Sequence, residues 1–341
     1  MQPRKFGTVS FRRQPLILAP MEDVTDPPFR MLCKEMGADW VYTEFISADG
    51  LIRDADKSLQ KLDINEAERP VSIQIFGAHI EAMVEAAKVA ASARPDFVDI
   101  NFGCPVRKVA SKGAGSGIMN DVPKMVEMTR RIVQAINLPV TVKTRLGYDQ
   151  KSKNIVDIAE RLQDCGIAAL AIHGRTRCQL YGGQADWSLI GEVKNNPRMH
   201  LPIIGNGDII HPEMALKALN DYGVDGIMVG RASIGNPWIF REISQYLDAG
   251  KIPPPPDMQE RLAICRKHIE KSVEWKGEKL ALFEMRRHYS HYFKGIYNFK
   301  PYRMRLVTAP SLEALYSVLD EIAATDFTAD HPARDGAGNA S

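Results

Sequence analysis

Eight short apolar runs recur along the chain, each closing on polar or small residues. They are LILAP (16–20), WVYTEF (40–45), VSIQIFG (71–77), FVDINFG (97–103), PVTVKTR (139–145), ALAIHG (169–174), PIIGNGD (202–208) and GIMVGR (226–231). Most are nearly continuous in apolar character rather than alternating, the pattern of parallel strands covered on both faces. Between them, residues 80–92, 121–136, 152–166 and 211–221 carry apolar positions at helical spacing. Asp121-Val122-Pro123 supplies an N-cap with proline close behind, and His211-Pro212-Glu213 opens a helix with proline and an acid in its first turn. Eight strands alternating with helices over about 230 residues predict a (β/α)8 barrel. A doubly wound sheet competes, but no GxGxxG turn follows the first run.

After residue 247 the alternation stops. DAGKIPPPPDM (248–258) contains four consecutive prolines, a stiff connector. Helical spacing then resumes at 259–275, 278–296 and 311–324 without a further strand. The expected architecture is therefore α/β: a TIM barrel over 1–247, a linker over 248–258, a small all-helical domain over 259–325, and a disordered tail over 326–341.

Composition changes this picture little. The 341 residues are 45% hydrophobic and 25% charged, with a formal net charge of +2, ordinary values for a globular chain. Five cysteines (Cys33, Cys104, Cys165, Cys178 and Cys265) show no CxxC and no metal-ligand spacing, which points to free thiols in a reducing compartment and to no metal. The apolar patch near the N-terminus is too short for a signal peptide, and no run elsewhere is long enough to span a bilayer. A cytoplasmic monomer is expected.

The even net charge hides an uneven distribution. Residues 261–305 hold 12 Lys/Arg against 4 Asp/Glu, together with eight aromatics: Trp275, Phe283, Tyr289, Tyr292, Phe293, Tyr297, Phe299 and Tyr302. A basic, aromatic-rich segment is a candidate nucleic-acid surface. The same pattern also serves a helical bundle with charged outer faces and an aromatic core.

In such a barrel the chemistry sits at the C-terminal ends of the strands. In chain order those ends present Pro20 and Met21; Glu44; Gln74; Asn101 with Cys104 just beyond; Lys143 and Arg145; His173 and Arg175; Asn206, Gly207 and Asp208; and Gly230 with Arg231. No carboxylate pair suited to glycoside chemistry is present. The last two turns, GNGDI and VGRASIGNP, place glycines where backbone approaches a ligand closely. Ala232-Ser233 is expected to open a short helix favouring an anion, at the phosphate position common in barrels. A phosphate at the rim with Gln74 and Lys143 beside it points to a flavin across the barrel mouth, Lys143 placing positive charge near the anion that flavin reduction creates. The alternative for Lys143 is an ion pair with Asp99 or Glu44.

LAPMEDVTDPPFR, TEF, QIFG, DINFGCPVRKV, VKTRLG, IHGRTR, IGNGDI and MVGRASIGNPWIF, in strand order over residues 15–245, together resemble a tRNA-dihydrouridine synthase of the bacterial B-like branch. The basic helical segment is similar to that family's RNA-binding domain, with weaker motifs. The resemblance implies FMN-dependent reduction of uridine in tRNA to 5,6-dihydrouridine, with NADPH reducing the flavin. It implies Cys104 as the general acid that protonates C5 after hydride passes from the flavin to C6. It implies Gln74, Lys143 and His173 around the isoalloxazine, Pro20 and Met21 beside the ring, and Asn206, Gly207, Asp208, Gly230 and Arg231 along the ribityl-phosphate. Asn101 would read the uracil edge, with Arg145 and Arg175 near substrate. Phe102 and ASKGAGSG depart from the family's usual residues at those positions.

Residue chemistry agrees. A uracil in folded tRNA must be extruded before a pocket can read it. An amide both donates and accepts, as the uracil edge requires. A thiol stays mostly protonated at neutral pH and can donate. The stretch VRKVASKGAGSG after Cys104 is expected to close as a lid. The competing function is an FMN barrel oxidoreductase acting on a small molecule such as a dihydropyrimidine, which would have no use for the basic segment.

Overall fold

The computed structural model describes residues 3–327. A short antiparallel hairpin, β1 (Arg4–Phe6) and β2 (Val9–Phe11), precedes eight parallel strands. These are β3 (Leu16–Leu18), β4 (Trp40–Ser47), β5 (Val71–Phe76), β6 (Phe97–Asn101), β7 (Val140–Arg145), β8 (Ala169–His173), β9 (Ile203–Asn206) and β10 (Gly226–Val229). They close in chain order, β10 pairing with β3, so the predicted TIM barrel is the observed one. Each of the eight apolar runs contributes one strand.

The hairpin, absent from the pattern-based expectation, plugs the N-terminal end of the barrel. Phe6 and Phe11 lie 5.6 and 6.0 Å from the Trp40 ring, and Trp40 stacks on Phe97 at 4.3 Å. With Ile17, Tyr42, Ile204 and Met228 they form a buried cluster at the start of the strands. The hairpin strands, RKF and VSF, mix polar with apolar residues over three positions and form no apolar run to be read in advance. The plug leaves the opposite end of the barrel for chemistry.

The helices between strands begin where side chains supply caps. Asp26 accepts from Phe29 N (3.0 Å) ahead of Pro27–Glu35, and Asp121 accepts from Lys124 N (3.2 Å) ahead of Val122–Ala135. The segment following Cys104 is not an open lid. It folds into a short helix, Arg107–Ala110, and a 3-10 turn, Gly115–Asn120, with Gly115 to Met119 buried.

The chain divides into two compact units, one running to Ser233 and resuming over Pro237–Pro253, the other comprising Ile234–Asn236 and the chain from Pro254 onward. The second is helical: Met258–Lys276, Glu278–Tyr292, Lys300–Thr308 and Leu312–Ala324. Leu262, Cys265 and Ile269 on the first helix, Ala281, Met285, Tyr289 and Tyr292 on the second, and Leu315, Val318, Leu319 and Ile322 on the last are buried, at the spacing of one helix face. Lys300–Thr308 escaped the sequence reading because only Leu306 on it is buried. Of the expected disordered tail, residues 328–341 lie outside the described residues. Phe327 does not fit that expectation: it packs 5.8 Å from Phe299 and 5.5 Å from Tyr302. Among the described residues no helix is long and apolar enough to cross a membrane.

Within the helical unit, the buried His288 accepts the backbone N–H of Gly235 at Nδ1 (3.1 Å). Burial, then the neighbouring His268, holds its pKa well below the ordinary histidine value. The unfolded chain takes up this proton near pH 6.5 and the folded chain far lower. Stability present above that pH is therefore lost as the pH falls below it. Urea unfolding of the full chain is expected to show lower stability at pH 5.5 than at 7.5. The loss should shrink in His288→Gln, whose amide oxygen accepts the same N–H at both pH values. An equal loss in the variant would remove His288 as the cause.

Candidate active site

Strand register brings the polar strand ends together at the open end of the barrel. Gln74 pairs with Asp99, Asn101 with Lys143, Arg145 with His173, and His173 with Asn206. On β6 the inward face carries Phe97, Asp99 and Asn101 in succession, since side chains alternate along a strand. The chain then turns at Gly103 and presents Cys104.

Cys104 is buried, 7% exposed. Burial pushes its thiol pKa up, only partly opposed by a backbone hydrogen bond and by Arg145, so the group stays protonated at neutral pH. Its turn is closely held. Asn101 Oδ1 accepts from the backbone N–H of Gly103 (2.9 Å) and of Cys104 (2.8 Å). The Cys104 carbonyl accepts from Ser116 N (3.1 Å) and Ser116 Oγ (2.8 Å). Gly115, at φ +52°, makes this approach feasible, because a Cβ there would lie 2.9 Å from the Cys104 carbonyl oxygen.

Lys143 is half-buried, and its Nζ donates to Asn206 Oδ1 at 3.3 Å. Neither expected carboxylate pairs with it. Asp99 accepts instead from Gln74 and Thr141, and Glu44 lies 3.4 Å from Lys61 Nζ. Lys61 also bonds Glu22 (2.6 Å), offsetting the cluster of Glu22, Asp23 and Glu44. Burial, then Arg145, lowers the Lys143 pKa to about 8. His173 is held well below the ordinary value by burial and the surrounding cations, and is neutral.

The remaining polar residues take positions the sequence reading did not foresee. Arg145 donates to the carbonyls of Gly103 (2.7 Å), Thr176 (3.0 Å) and Leu180 (3.0 Å), bracing the cysteine turn against the loop after β8. Arg175 pairs with Asp208 through two bonds of 2.8 and 2.7 Å and donates to the carbonyls of Gly182 and Gly183. Both guanidiniums, expected near substrate, hold loops. Asp208, expected along the phosphate, also accepts from Ala185 N (2.8 Å) and Arg231 (3.2 Å). Although burial opposes it, Arg175 holds this carboxyl below its usual pKa. Asp208 thus anchors both Arg175 and Arg231 at the rim. Asn101, expected to read uracil, has both carbonyl lone pairs engaged and one amide hydrogen donated to Gln74 (2.8 Å).

Gly207 adopts φ +129°, where a Cβ would meet Ala185 Cβ at 2.7 Å. At Gly230 a Cβ would lie 3.6 Å from Ala19 Cβ and 3.8 Å from the Met21 sulfur, so the absent side chain leaves space beside Met21. The expected helix at Ala232-Ser233 is a three-residue 3-10 turn, Arg231–Ser233, too short to carry a macrodipole. One rim residue was missed. Tyr181 is 54% exposed, with the Arg231 and Arg145 guanidiniums 4.7 and 5.9 Å from its ring. An aromatic inside the loop RCQLYGG was its only trace in the sequence.

In the helical unit the aromatics divide. Tyr289, Tyr292, Phe293 and Phe299 are buried, whereas Phe283, with Arg286 5.6 Å from its ring, and Tyr297 are exposed. Lys279, Lys294, Lys300 and Arg303 are also exposed. The segment is thus a bundle with an aromatic core that also exposes lysines, arginines and two aromatic side chains.

Comparison with known proteins accords with this geometry. The sequence profile of the family described as dihydrouridine synthase (Dus) matches residues 17–326. Relatives named tRNA-dihydrouridine synthase B, from Pseudomonas putida and Pseudomonas aeruginosa, are 40% and 38% identical over 89% and 84% of this chain, and over 90% and 86% of their own. A probable tRNA-dihydrouridine synthase of Rickettsia conorii is 37% identical over 88% of this chain and 90% of its own. Among solved structures, histamine dehydrogenase from Rhizobium sp. 4-9 aligns with a TM-score of 0.56 at 13% identity, over 79% of this chain and 50% of that one. 2-Naphthoyl-CoA reductase aligns with a TM-score of 0.57 at 14% identity, over 72% and 52%. This chain therefore spans about half of each of those larger proteins and shares their barrel fold. From the profile match and the identity with its relatives, the chain belongs to the dihydrouridine synthase family.

Proposed function

We propose that this protein reduces uridines in tRNA to 5,6-dihydrouridine, with FMN as resident cofactor and NADPH as reductant, acting as a cytoplasmic monomer. The observation that carries the reading is a buried, protonated thiol on the same rim as a cation without a carboxylate partner among the described residues, Lys143, and a neutral imidazole, His173. The residues fit a flavin. Lys143 is suited to an anionic partner, Gly230 leaves room beside Pro20 and Met21, and Gly207 keeps the turn beside His173 free of a side chain. Gln74, His173, Asn206 and Arg231 would complete its surroundings, Gln74 retaining one N–H and one lone pair beyond its bonds to Asp99 and Asn101.

When bound and reduced by NADPH, the flavin would supply the hydride for C6 of the pyrimidine. Cys104 gives its proton to C5 and regains one from solvent, its turn held rigid by Asn101 and Ser116. Lys143 contributes positive charge to the pocket, and His173 offers hydrogen bonding without further charge. Asn101 keeps one amide hydrogen for a base. Tyr181 offers an exposed aromatic face on which an extruded base stacks. The barrel unit carries the reaction, while exposed cations of the helical unit, with Arg107, Lys108 and Lys112 after Cys104, engage phosphates.

The test is anaerobic. The flavin is reduced stoichiometrically, and its reoxidation is followed after adding tRNA that lacks dihydrouridine. Rapid reoxidation by tRNA, with free uridine inert, is the expected result. Reoxidation by a small unsaturated molecule but by no tRNA would instead favour a small-molecule reductase.

A further inference from the structure

Asp99 lies on β6 two residues before Asn101, one pleat deeper in the barrel, and is fully buried. No proton or hydride step above uses it. Thr141 Oγ1 donates to its Oδ1 (2.5 Å), and Gln74 Nε2 donates to its Oδ2 (2.6 Å). Gln74 Oε1 accepts from Asn101 Nδ2 (2.8 Å), and Asn101 Oδ1 accepts from the backbone N–H groups of Gly103 and Cys104. An unbroken series of hydrogen bonds thus links a buried carboxylate to the backbone of the thiol-bearing turn.

The polarity of this series is set at its two ends. A carboxylate only accepts, and a backbone N–H only donates. One orientation of each amide satisfies every bond: the Gln74 NH2 toward Asp99, and the Asn101 NH2 toward Gln74. Turning either amide sets donor against donor or acceptor against acceptor in a buried site, which is costly. Because the carboxylate and the two backbone N–H groups demand the same amide orientations, the charged Asp99 reinforces the carbonyl contact by which Asn101 holds the turn.

We propose that Asp99 is a positioning residue for Cys104, fixing through the amides of Gln74 and Asn101 the turn that aims the thiol. Its catalytic meaning rests on Cys104 as the proton donor; its structural content does not. Burial raises the Asp99 pKa to about 6, against the opposing effects of the Thr141 and Gln74 bonds and the Lys143 cation. The groups facing it are Thr141 and Lys143 from β7, Gln74 from β5, and from β4 the Tyr42 phenol, which burial and then Asp99 keep protonated. Protonation weakens the two charge-assisted bonds that Asp99 accepts, from Thr141 and Gln74, and with them the hold on the Gln74 and Asn101 amides. The turn loosens as the pH falls through that value.

Alkylation of Cys104 by iodoacetamide, resolved by peptide mass spectrometry, reads the turn without turnover. The protein is the full chain saturated with FMN, sampled from pH 5 to 8. Thiolate is the reactive form, so a turn of constant geometry gives a logarithmic rate rising one unit per pH unit. The wild type is expected to break from that line near pH 6, reacting at least threefold faster than the line below it. Thr141→Val, which removes a donor to Asp99, should move the break to higher pH. Asp99→Asn should react at least threefold faster than wild type at pH 7, with unit slope throughout. A straight unit slope in the wild type, a break unmoved by Thr141→Val, or a break persisting in Asp99→Asn would overturn the proposal. Should Asp99→Asn fail to fold, the other two profiles decide it. Full activity in a Cys104 variant would sink the proton-donor reading alone and leave the alkylation result standing.

Discussion

Cys104→Ala should slow the reoxidation of reduced flavin by tRNA by about 10²–10⁴-fold, the usual contribution of a positioned general acid. The expectation follows from how little else the side chain does: it lies at the mouth of β6, and the turn around it is held through backbone groups and Asn101 rather than through sulfur. Alanine keeps the Cβ and those bonds, so flavin retention and tRNA affinity should be unchanged. The pH profile separates the thiol from its neighbour. Burial raises the thiol pKa, so its proton is lost only well into the alkaline range. Lys143 loses its charge as the pH rises through about 8, and an alkaline limb near that value belongs to the lysine. Retained activity in Cys104→Ala would assign the proton to another group on the rim.

The largest stability effect is expected far from the chemistry, at Arg30 and Glu68. Arg30 lies on Pro27–Glu35 and is 1% exposed, while Glu68 in the turn Glu66–Glu68 is fully buried. The guanidinium meets the carboxylate through two bonds of 2.5 and 3.0 Å and donates to the carbonyls of Thr25 and Asp63, both at 2.9 Å. The carboxylate also accepts from Asn65 N at 2.6 Å. Arg30→Met or Glu68→Gln leaves the partner charge buried and unmatched, a loss of about 3–5 kcal/mol. Replacing both by apolar residues of similar volume should recover part of it. Urea unfolding of the full chain measures this, with the exposed pair Arg130–Glu127 as a control expected to change little. A small effect from both single variants would show that solvent reaches the pair.

What could be read in advance followed unbroken apolar character. The eight barrel strands, the three-residue β3 among them, are apolar runs, and helices such as Ile80–Ser92 and Leu312–Ala324 repeat their apolar spacing over several turns. The hairpin strands β1 (RKF) and β2 (VSF) mix polar with apolar residues and do not stand out. Lys300–Thr308 is missed for the related reason that it buries one side chain. The stretch after Cys104 illustrates a different limit. Glycines read as flexibility, yet Gly115 serves a tight approach between backbone segments, and the expected lid is a folded turn.

For the site, the sequence determined which side chains reach the rim, because side-chain alternation and the end of each apolar run are local properties of a strand. It also determined that a thiol, a lysine and a histidine would be among them. Only the tertiary structure decided how they are partnered. Hydrogen-bond partners come from strands distant in the chain, and each donor or acceptor can satisfy only a few bonds. Arg145, Arg175 and Asp208 therefore also brace loops, Lys143 forms no ion pair with Asp99 or Glu44, and Asp99, weighed in the sequence only as a partner for Lys143, sits at the head of the bonds that hold Cys104.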